Sequence, residues 1–431
     1  MHFFSYTDGS LFCEKVALNL IANEVGTPAY VYSANTIRKN YQALDTALSG
    51  LDHHICFAVK ANSNISILKL LADAGSGFDI VSGGELYRVL QAGGKGSDCT
   101  FAGVGKTVSE IEYALENDIY SFNVESEAEL ERINSVAGRM GKTAPIAVRV
   151  NPDVDAQTHA FISTGKSKNK FGIGIDRAFE VYARAAELPN LKIRGVQSHI
   201  GSQILSSKPF REAAEKLAAL VQKLHEKYAL EFFSFGGGVG IVYENSLASG
   251  PAEWWSQPEI KALKPSDYAE AIQSLFAPLG LRILFEPGRF LVGNAGVLLS
   301  EVQYVKQTPA KRFTIVDAAM NDLIRPALYE GHHDIHPLRE PTKNELLTTD
   351  IVGPVCESGD FFAQNRELPQ LEQGDRIALM SAGAYGFVMA SNYNSRPFLP
   401  EVLVSEDRWE IIRERQSYED LIAGERLLSL E

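Results

Sequence analysis

Lys60 closes the run Ile55-Cys56-Phe57-Ala58-Val59, five apolar residues that read as a strand buried on both faces. An amine at the rim of such a core loses hydration, which disfavours the ammonium and frees a nucleophile. That is what Schiff-base chemistry needs; a lysine snorkelling from a strand end into water is the plain alternative. Other reactive residue types follow other apolar runs. These are Asp79 within Phe78-Asp79-Ile80-Val81 with Glu85 just beyond, Arg149 with Asn151, His199 with Gly201 and Ser202, Gly236-Gly237-Gly238, and Glu286-Pro287-Gly288-Arg289. The three glycines could bare backbone N–H groups to a phosphate, and a tight turn would use the same residues. Glu286 could keep a heterocyclic nitrogen protonated or pair with Arg289. His199 could stack on a flat ring or sit satisfied in the core. Cys356 stands in the polar, turn-rich stretch Gly353-Pro354-Val355-Cys356-Glu357-Ser358-Gly359-Asp360, which leaves a reactive and an inert thiol both open.

The elements that must position these residues alternate. Strand candidates are Ala29–Tyr32, Ile55–Val59, Phe78–Val81, Thr100–Ala102, Ser121–Val124, Ile146–Val150, Ile193–Ser198, Phe232–Phe235 and Arg282–Phe285. Between them Ser66–Ala74, Ser109–Glu116, Glu127–Ala137, Arg211–Tyr228 and Asp267–Phe276 carry apolar residues at helical spacing. Ser126 with Glu129 three residues on resembles a capping box. The pattern predicts an α/β fold, a (β/α)8 TIM-type barrel, with the first of the nine candidates outside it. In such a barrel the chemistry sits where the strands end, and six strand ends here carry a base, an acid, an arginine or a glycine turn. After Phe290 the runs Val297–Val305, Arg312–Val316, Arg376–Met380 and Glu401–Val404 are strand-like and helical periods are scarce, which predicts a second, mostly β-barrel domain. Pro251–Pro265, with two tryptophans, reads as a surface insertion.

Composition narrows the classes. A chain of 431 residues suggests two domains. The net charge of −13 argues against nucleic-acid binding. Cys13, Cys56, Cys99 and Cys356 form no C-x-x-C pair and no zinc spacing, which suggests a reducing compartment. With no signal peptide and no membrane-length apolar run, a cytoplasmic location is expected. No metal is expected, since the one cluster, His332-His333-Asp334 with His336, is irregularly spaced and reads as a loop.

One cofactor accounts for the reactive residues together. Pyridoxal 5′-phosphate needs a lysine for its aldehyde, an acid for its pyridinium nitrogen, something flat on its ring and donors for its phosphate. Phe57-Ala58-Val59-Lys60-Ala61-Asn62, Ser198-His199-Ile200-Gly201-Ser202-Gln203, Gly236–Gly238, Glu286–Arg289, Cys356–Asp360 and Gly383-Ala384-Tyr385-Gly386 resemble, in order, the motifs of the fold-type III pyridoxal-phosphate decarboxylases. The resemblance runs from about residue 26 to the last few residues. Asn321-Asp322-Leu323-Ile324-Arg325-Pro326-Ala327-Leu328-Tyr329 and the Cys-Glu-Ser-Gly-Asp string resemble the branch that acts on an amino acid with a second carboxylate; the ornithine enzymes carry Cys-Asp.

The resemblance implies a barrel over 35–290 and a β-domain of 1–34 plus 291–431. It implies Lys60, Cys356, His199 and Glu286 as catalytic residues. Lys60, Asp79, Arg149, His199, Ser202, Gly236, Gly237, Gly238, Glu286, Gly288, Arg289 and Tyr385 would hold the cofactor, and Arg289, Arg325, Tyr329, Glu357 and Tyr385 the substrate. The expected partners are a small amino acid and a second copy of the chain, in a homodimer with shared active sites where Cys356 and Glu357 come from the other subunit. Two arginines argue for a substrate with a second carboxylate, so the expected reaction is meso-2,6-diaminopimelate to L-lysine and CO2. The alternatives are a related amino acid (ornithine or arginine type), a racemase on the same barrel, and a noncatalytic pyridoxal-phosphate-binding paralogue.

Overall fold

The computed structural model describes residues 2–155, 170–257, 260, 262–341 and 345–428. Three residues of the expected insertion, Pro258, Glu259 and Lys261, lie outside the described residues. The chain divides into two compact units. One comprises Ile37–Ile241 and Trp255–Val292; the other comprises Met1–Thr36, Val242–Trp254 and Gly293–Glu431.

The first unit is a closed ring of eight parallel strands: His53–Ala58, Gly77–Ile80, Cys99–Phe101, Ser121–Val124, Ala144–Asn151, Leu191–Gln197, Phe232–Ser234 and Arg282–Phe285. The ring closes where Ile283, Leu284 and Phe285 pair with His53, His54 and Ile55. Most strands are buried along their length, as expected of a parallel sheet covered by helices. The covering helices follow the predicted periodicity. Lys208–Tyr228 buries Phe210, Ala213, Ala214, Leu217, Leu220, Val221 and Leu224 along one stripe.

Local capping differs from the expectation in an instructive way. Ser126 Oγ accepts from the Glu129 N–H at 3.2 Å. The Glu129 carboxylate instead accepts from the Glu125 N–H at 2.7 Å and from Lys106 Nζ at 2.6 Å. A buried lysine outcompetes the helix N-terminus, so half the box forms. The complete box is at Thr107 and Glu110, opening Val108–Glu116.

The second unit is mostly sheet. Its long central strand, Gly296–Gln307, pairs with Ala29–Ser33, Arg312–Val316 and Arg376–Leu379. The strand candidate Ala29–Tyr32 therefore belongs to this sheet, where it also lies parallel to Glu401–Ser405. Leu346–Val352 and Phe361–Pro369 form a further hairpin that the sequence pattern did not suggest, because Gln364, Asn365, Arg366 and Glu367 interrupt its apolar alternation. The core packs Leu11, Leu18, Ile21, Val31, Val297, Leu299, Met380, Val402 and Val404. Val242–Trp254 falls inside the stretch read as barrel but clusters with the sheet. The Asp334 carboxylate accepts from Ser246 N–H at 2.6 Å and from its hydroxyl at 3.0 Å, and Asn294 Nδ2 donates to Val242 O at 2.9 Å.

Candidate active site

Eight parallel strands bring their C-terminal ends to one rim of the barrel. The first strand stops at Ala58, and Lys60 lies in the short turn Val59–Ala61 that follows. Its side chain is 40% exposed at the rim, and Nζ lies 2.7 Å from Asp79 Oδ2. Asp79 points inward from the second strand and is fully buried. Gly288 packs against this turn; a Cβ there would stand 3.0 Å from that of Ala61.

Glu286 follows the last strand and is buried. Its Oε1 accepts from Ser234 Oγ at 2.6 Å and its Oε2 from Gln197 Nε2 at 2.9 Å. Burial, reinforced by the Asp79 charge, still raises its carboxyl to about 7. A carboxyl in that range can share a proton with a weakly basic ring nitrogen. Glu85 is likewise pushed up to about 7 by burial, while accepting from the Val81 N–H at 2.7 Å.

His199 is held neutral. Burial, then the charges of Arg149 and Lys60, push its imidazolium well below the ordinary range. Its Nδ1 accepts from the Gly237 N–H at 3.2 Å. Gly236, at φ +73°, lies so close to the Ser198 carbonyl and the His199 ring that no side chain fits. Gly237 and Gly238 continue this turn beside the imidazole, and Arg289 Nη2 donates to Ser202 Oγ at 3.4 Å. Arg149 Nη1 donates to Glu125 Oε1 at 2.8 Å. The rim therefore gathers an amine, a raised carboxyl, a neutral flat ring, two arginines and a glycine turn.

The remaining predicted residues lie in the sheet unit. Arg325 opens the short helix Arg325–Tyr329 and is buried; Tyr329, at its end, is half-buried. Arg325 Nη1 donates to His333 Nε2 at 2.7 Å. Asn321 and Asp322 stabilise the preceding loop. Asn321 Nδ2 donates to Ser391 O at 3.0 Å, and Asp322 Oδ2 accepts from the Ala319 N–H at 2.9 Å. Cys356 and Glu357 are exposed at the turn between Leu346–Val352 and Phe361–Pro369. That turn is built on Asp360, whose carboxylate accepts from the N–H groups of Met320 and Val355, both at 2.7 Å. Tyr385 sits at φ +55°, a conformation uncommon for an aromatic residue, in a loop tied by Gly383 N–H to Gly293 O at 3.0 Å.

Residues 34–293 match the family described as pyridoxal-dependent decarboxylase, pyridoxal binding domain. A Pseudomonas aeruginosa protein named diaminopimelate decarboxylase is 50% identical over 429 residues, 99% of this chain and 100% of that one. Its Vibrio cholerae counterpart is 48% identical over 431 residues, 99% of this chain and 100% of that one. The chain belongs to the diaminopimelate decarboxylase family. Solved members agree in fold. The Helicobacter pylori enzyme complexed with L-lysine has a TM-score of 0.87 at 42% identity, covering 94% of this chain and 98% of that one. The M. jannaschii enzyme in complex with L-lysine has a TM-score of 0.89 at 37% identity, covering 99% and 98%.

The family's cofactor, pyridoxal 5′-phosphate, fits the residues present. Asp79 Oδ1 and Arg149 Nη2 are buried with no hydrogen-bond partner among the described residues, so the rim has polar capacity for a polar ligand. The donor set also matches: an amine for an aldehyde, a raised acid for a ring nitrogen and a glycine turn beside a neutral imidazole. Three residues escaped the sequence reading. Glu125 orients Arg149, and Gln197 and Ser234 hold Glu286. All three lie at or just past strand ends, so the strand-end test would have found them had it been extended to neutral and helix-proximal polar residues.

Proposed function

We propose that this chain decarboxylates meso-2,6-diaminopimelate to L-lysine and CO2, acting in the cytoplasm as a homodimer with shared active sites. The observation that carries the reading is the Lys60–Asp79–His199–Glu286 grouping at one barrel end, in a chain 50% identical to a named diaminopimelate decarboxylase. Pyridoxal 5′-phosphate, when bound, supplies the electron sink for the pair left behind as CO2 departs.

The chain's residues do the rest. Lys60 Nζ would hold the cofactor's aldehyde, and Asp79, 2.7 Å away, would pair with the Lys60 ammonium whenever that amine is released. Glu286 keeps the ring nitrogen protonated. His199, neutral and flat, fixes the ring plane. Ser202, Gly236–Gly238, Gly288, Arg289 and Tyr385 hold the phosphate and the rim around it, and Arg149 the charge beside His199. Arg289, Arg325 and Tyr329 receive the distal carboxylate, and Glu357 the distal ammonium. Cys356 Sγ delivers a proton to the carbon that lost CO2; its exposed position on the sheet unit supports service to the partner subunit's site. The four free thiols suit a reducing compartment. Ornithine offers no second carboxylate for Arg325.

CO2 release measured across diaminopimelate, ornithine, arginine and lysine tests the substrate. Release from diaminopimelate alone supports the assignment, and equal release from ornithine removes it. Mixing Lys60→Ala and Cys356→Ala subunits tests the shared sites. About a quarter of wild-type activity per mixed population should return on statistical exchange of subunits; none returns if each site is built from one chain.

A further inference from the structure

The cluster His332-His333-Asp334 lies in a loop, as its spacing suggested, and has no part in the reaction described so far. Its middle residue touches Arg325. His333 is completely buried, and its two ring nitrogens face opposite demands. Nδ1 lies 2.7 Å from Met380 O, and Nε2 lies 2.7 Å from Arg325 Nη1. A backbone carbonyl accepts only, so Nδ1 must carry the proton. A guanidinium donates only, so Nε2 must present its lone pair. The contacts define one neutral tautomer from both sides.

The surroundings fix this ring in place. Tyr243 stands edge-on to it, with centroids 5.4 Å apart, and offers its own face to the Arg325 guanidinium at 4.4 Å. Arg366 Nη1 donates to His333 O at 3.2 Å, and Arg366 Nη2 lies 3.1 Å from His332 Nδ1. His332 Nε2 in turn lies 2.8 Å from Asp334 Oδ1. The flanking residues of the motif thus brace the backbone that carries His333.

We propose that His333 is the positioning residue for Arg325, orienting its guanidinium through a neutral acceptor toward the substrate's second carboxylate. A carboxylate in the same place would orient the arginine equally well but would neutralise it. An imidazole lone pair and an aromatic face each direct the guanidinium without supplying a countercharge. The inference rests on the reading that Arg325 receives that carboxylate.

Three substitutions and a comparator test it in the holoenzyme. His333→Gln keeps an acceptor near Nε2; His333→Met fills a similar volume without an equivalent one; His333→Ala removes both; Arg325→Ala is the comparator. With diaminopimelate, His333→Met and His333→Ala should raise KM about tenfold to a hundredfold, the range of a lost hydrogen bond to a charged group, with kcat little changed. His333→Gln should restore KM most of the way. L-lysine, the product, keeps the carboxylate distal to the reacting carbon, so its binding, measured by titration calorimetry, should weaken in His333→Met and His333→Ala in step with the rise in KM, whereas 1,5-diaminopentane, which has no carboxylate, should bind every variant as it binds wild type. Equal KM for the Gln and Met variants, or 1,5-diaminopentane binding weakened as much as L-lysine binding, overturns the proposal. If Arg325→Ala raises KM while every His333 variant behaves as wild type, His333 has no positioning role and the reading of Arg325 stands. If Arg325→Ala itself leaves KM unchanged, that reading fails first.

Discussion

At the barrel rim, reactive groups already engage one another: Lys60 on Asp79, Arg149 on Glu125, Glu286 on Ser234 and Gln197, His199 on the Gly237 amide. In the sheet unit, Cys356 and Glu357 stand exposed on a turn whose shape comes from a third residue, Asp360. The rim is pre-organised before any ligand arrives, so removing one member leaves another buried and unsatisfied. The turn carries its functional side chains outward, so their loss should cost turnover and little else. Substitutions at the rim should therefore change cofactor retention and stability together with activity, whereas substitutions on the turn should separate them.

The largest effect belongs to Lys60→Ala. Activity should fall to the limit of detection, and the visible absorbance of the purified holoprotein should disappear. A coloured, active variant would break the comparison at its strongest point. Next, Cys356→Ala should lower kcat by about 10²–10⁴-fold, the usual contribution of a proton-transferring group, with absorbance and melting temperature unchanged. A large drop in melting temperature would show that the turn is structurally coupled after all.

Glu286→Gln sharpens the rim side through pH. Its carboxyl is raised to about 7 in the fold from an ordinary value of 4.5, chiefly by burial. A raised carboxyl favours the folded state while protonated, so its contribution is fully present below about 4.5 and is lost as pH rises through about 7. The cofactor-free protein should therefore be destabilised at pH 8 relative to pH 5 by a few kcal/mol at most. Glu286→Gln should remove much of that pH dependence, and melting curves of apo wild type and variant at both pH values measure it. Identical pH slopes would contradict the burial argument. The smallest effect is expected from Glu125→Gln, which weakens the support of Arg149. Cofactor dissociation, followed by loss of absorbance on dilution, should become about tenfold easier, in line with one charge-assisted hydrogen bond. No change would mean that Arg149 is oriented by other contacts.

The contrast also explains what the sequence made legible. Barrel strands buried on both faces read as plain apolar runs, so the ring and its reactive ends were visible in outline. The strand before Lys60 was read one residue too long, because the apolar run continues through Val59 while the strand stops at Ala58. Gln197 and Ser234 were invisible because their partner, Glu286, lies 89 and 52 residues away. His333 does lie in a loop, but its contacts were hidden for a similar reason. Its value lies in a tautomer set by Met380, 47 residues on, and no local spacing encodes that. The half-formed box at Ser126 failed because Lys106, distant in sequence, takes the carboxylate that the local motif reserves for the helix end.

The central claim is that the barrel rim holds the cofactor while Arg325 in the sheet unit selects a substrate with a second carboxylate. The most direct test is the ratio of kcat/KM for diaminopimelate to that for ornithine, in wild type and in Arg325→Ala. The ratio should be large in wild type and should collapse in the variant, with the loss confined to diaminopimelate. A ratio that stays the same in both, or one that falls through a gain on ornithine alone, would contradict the account.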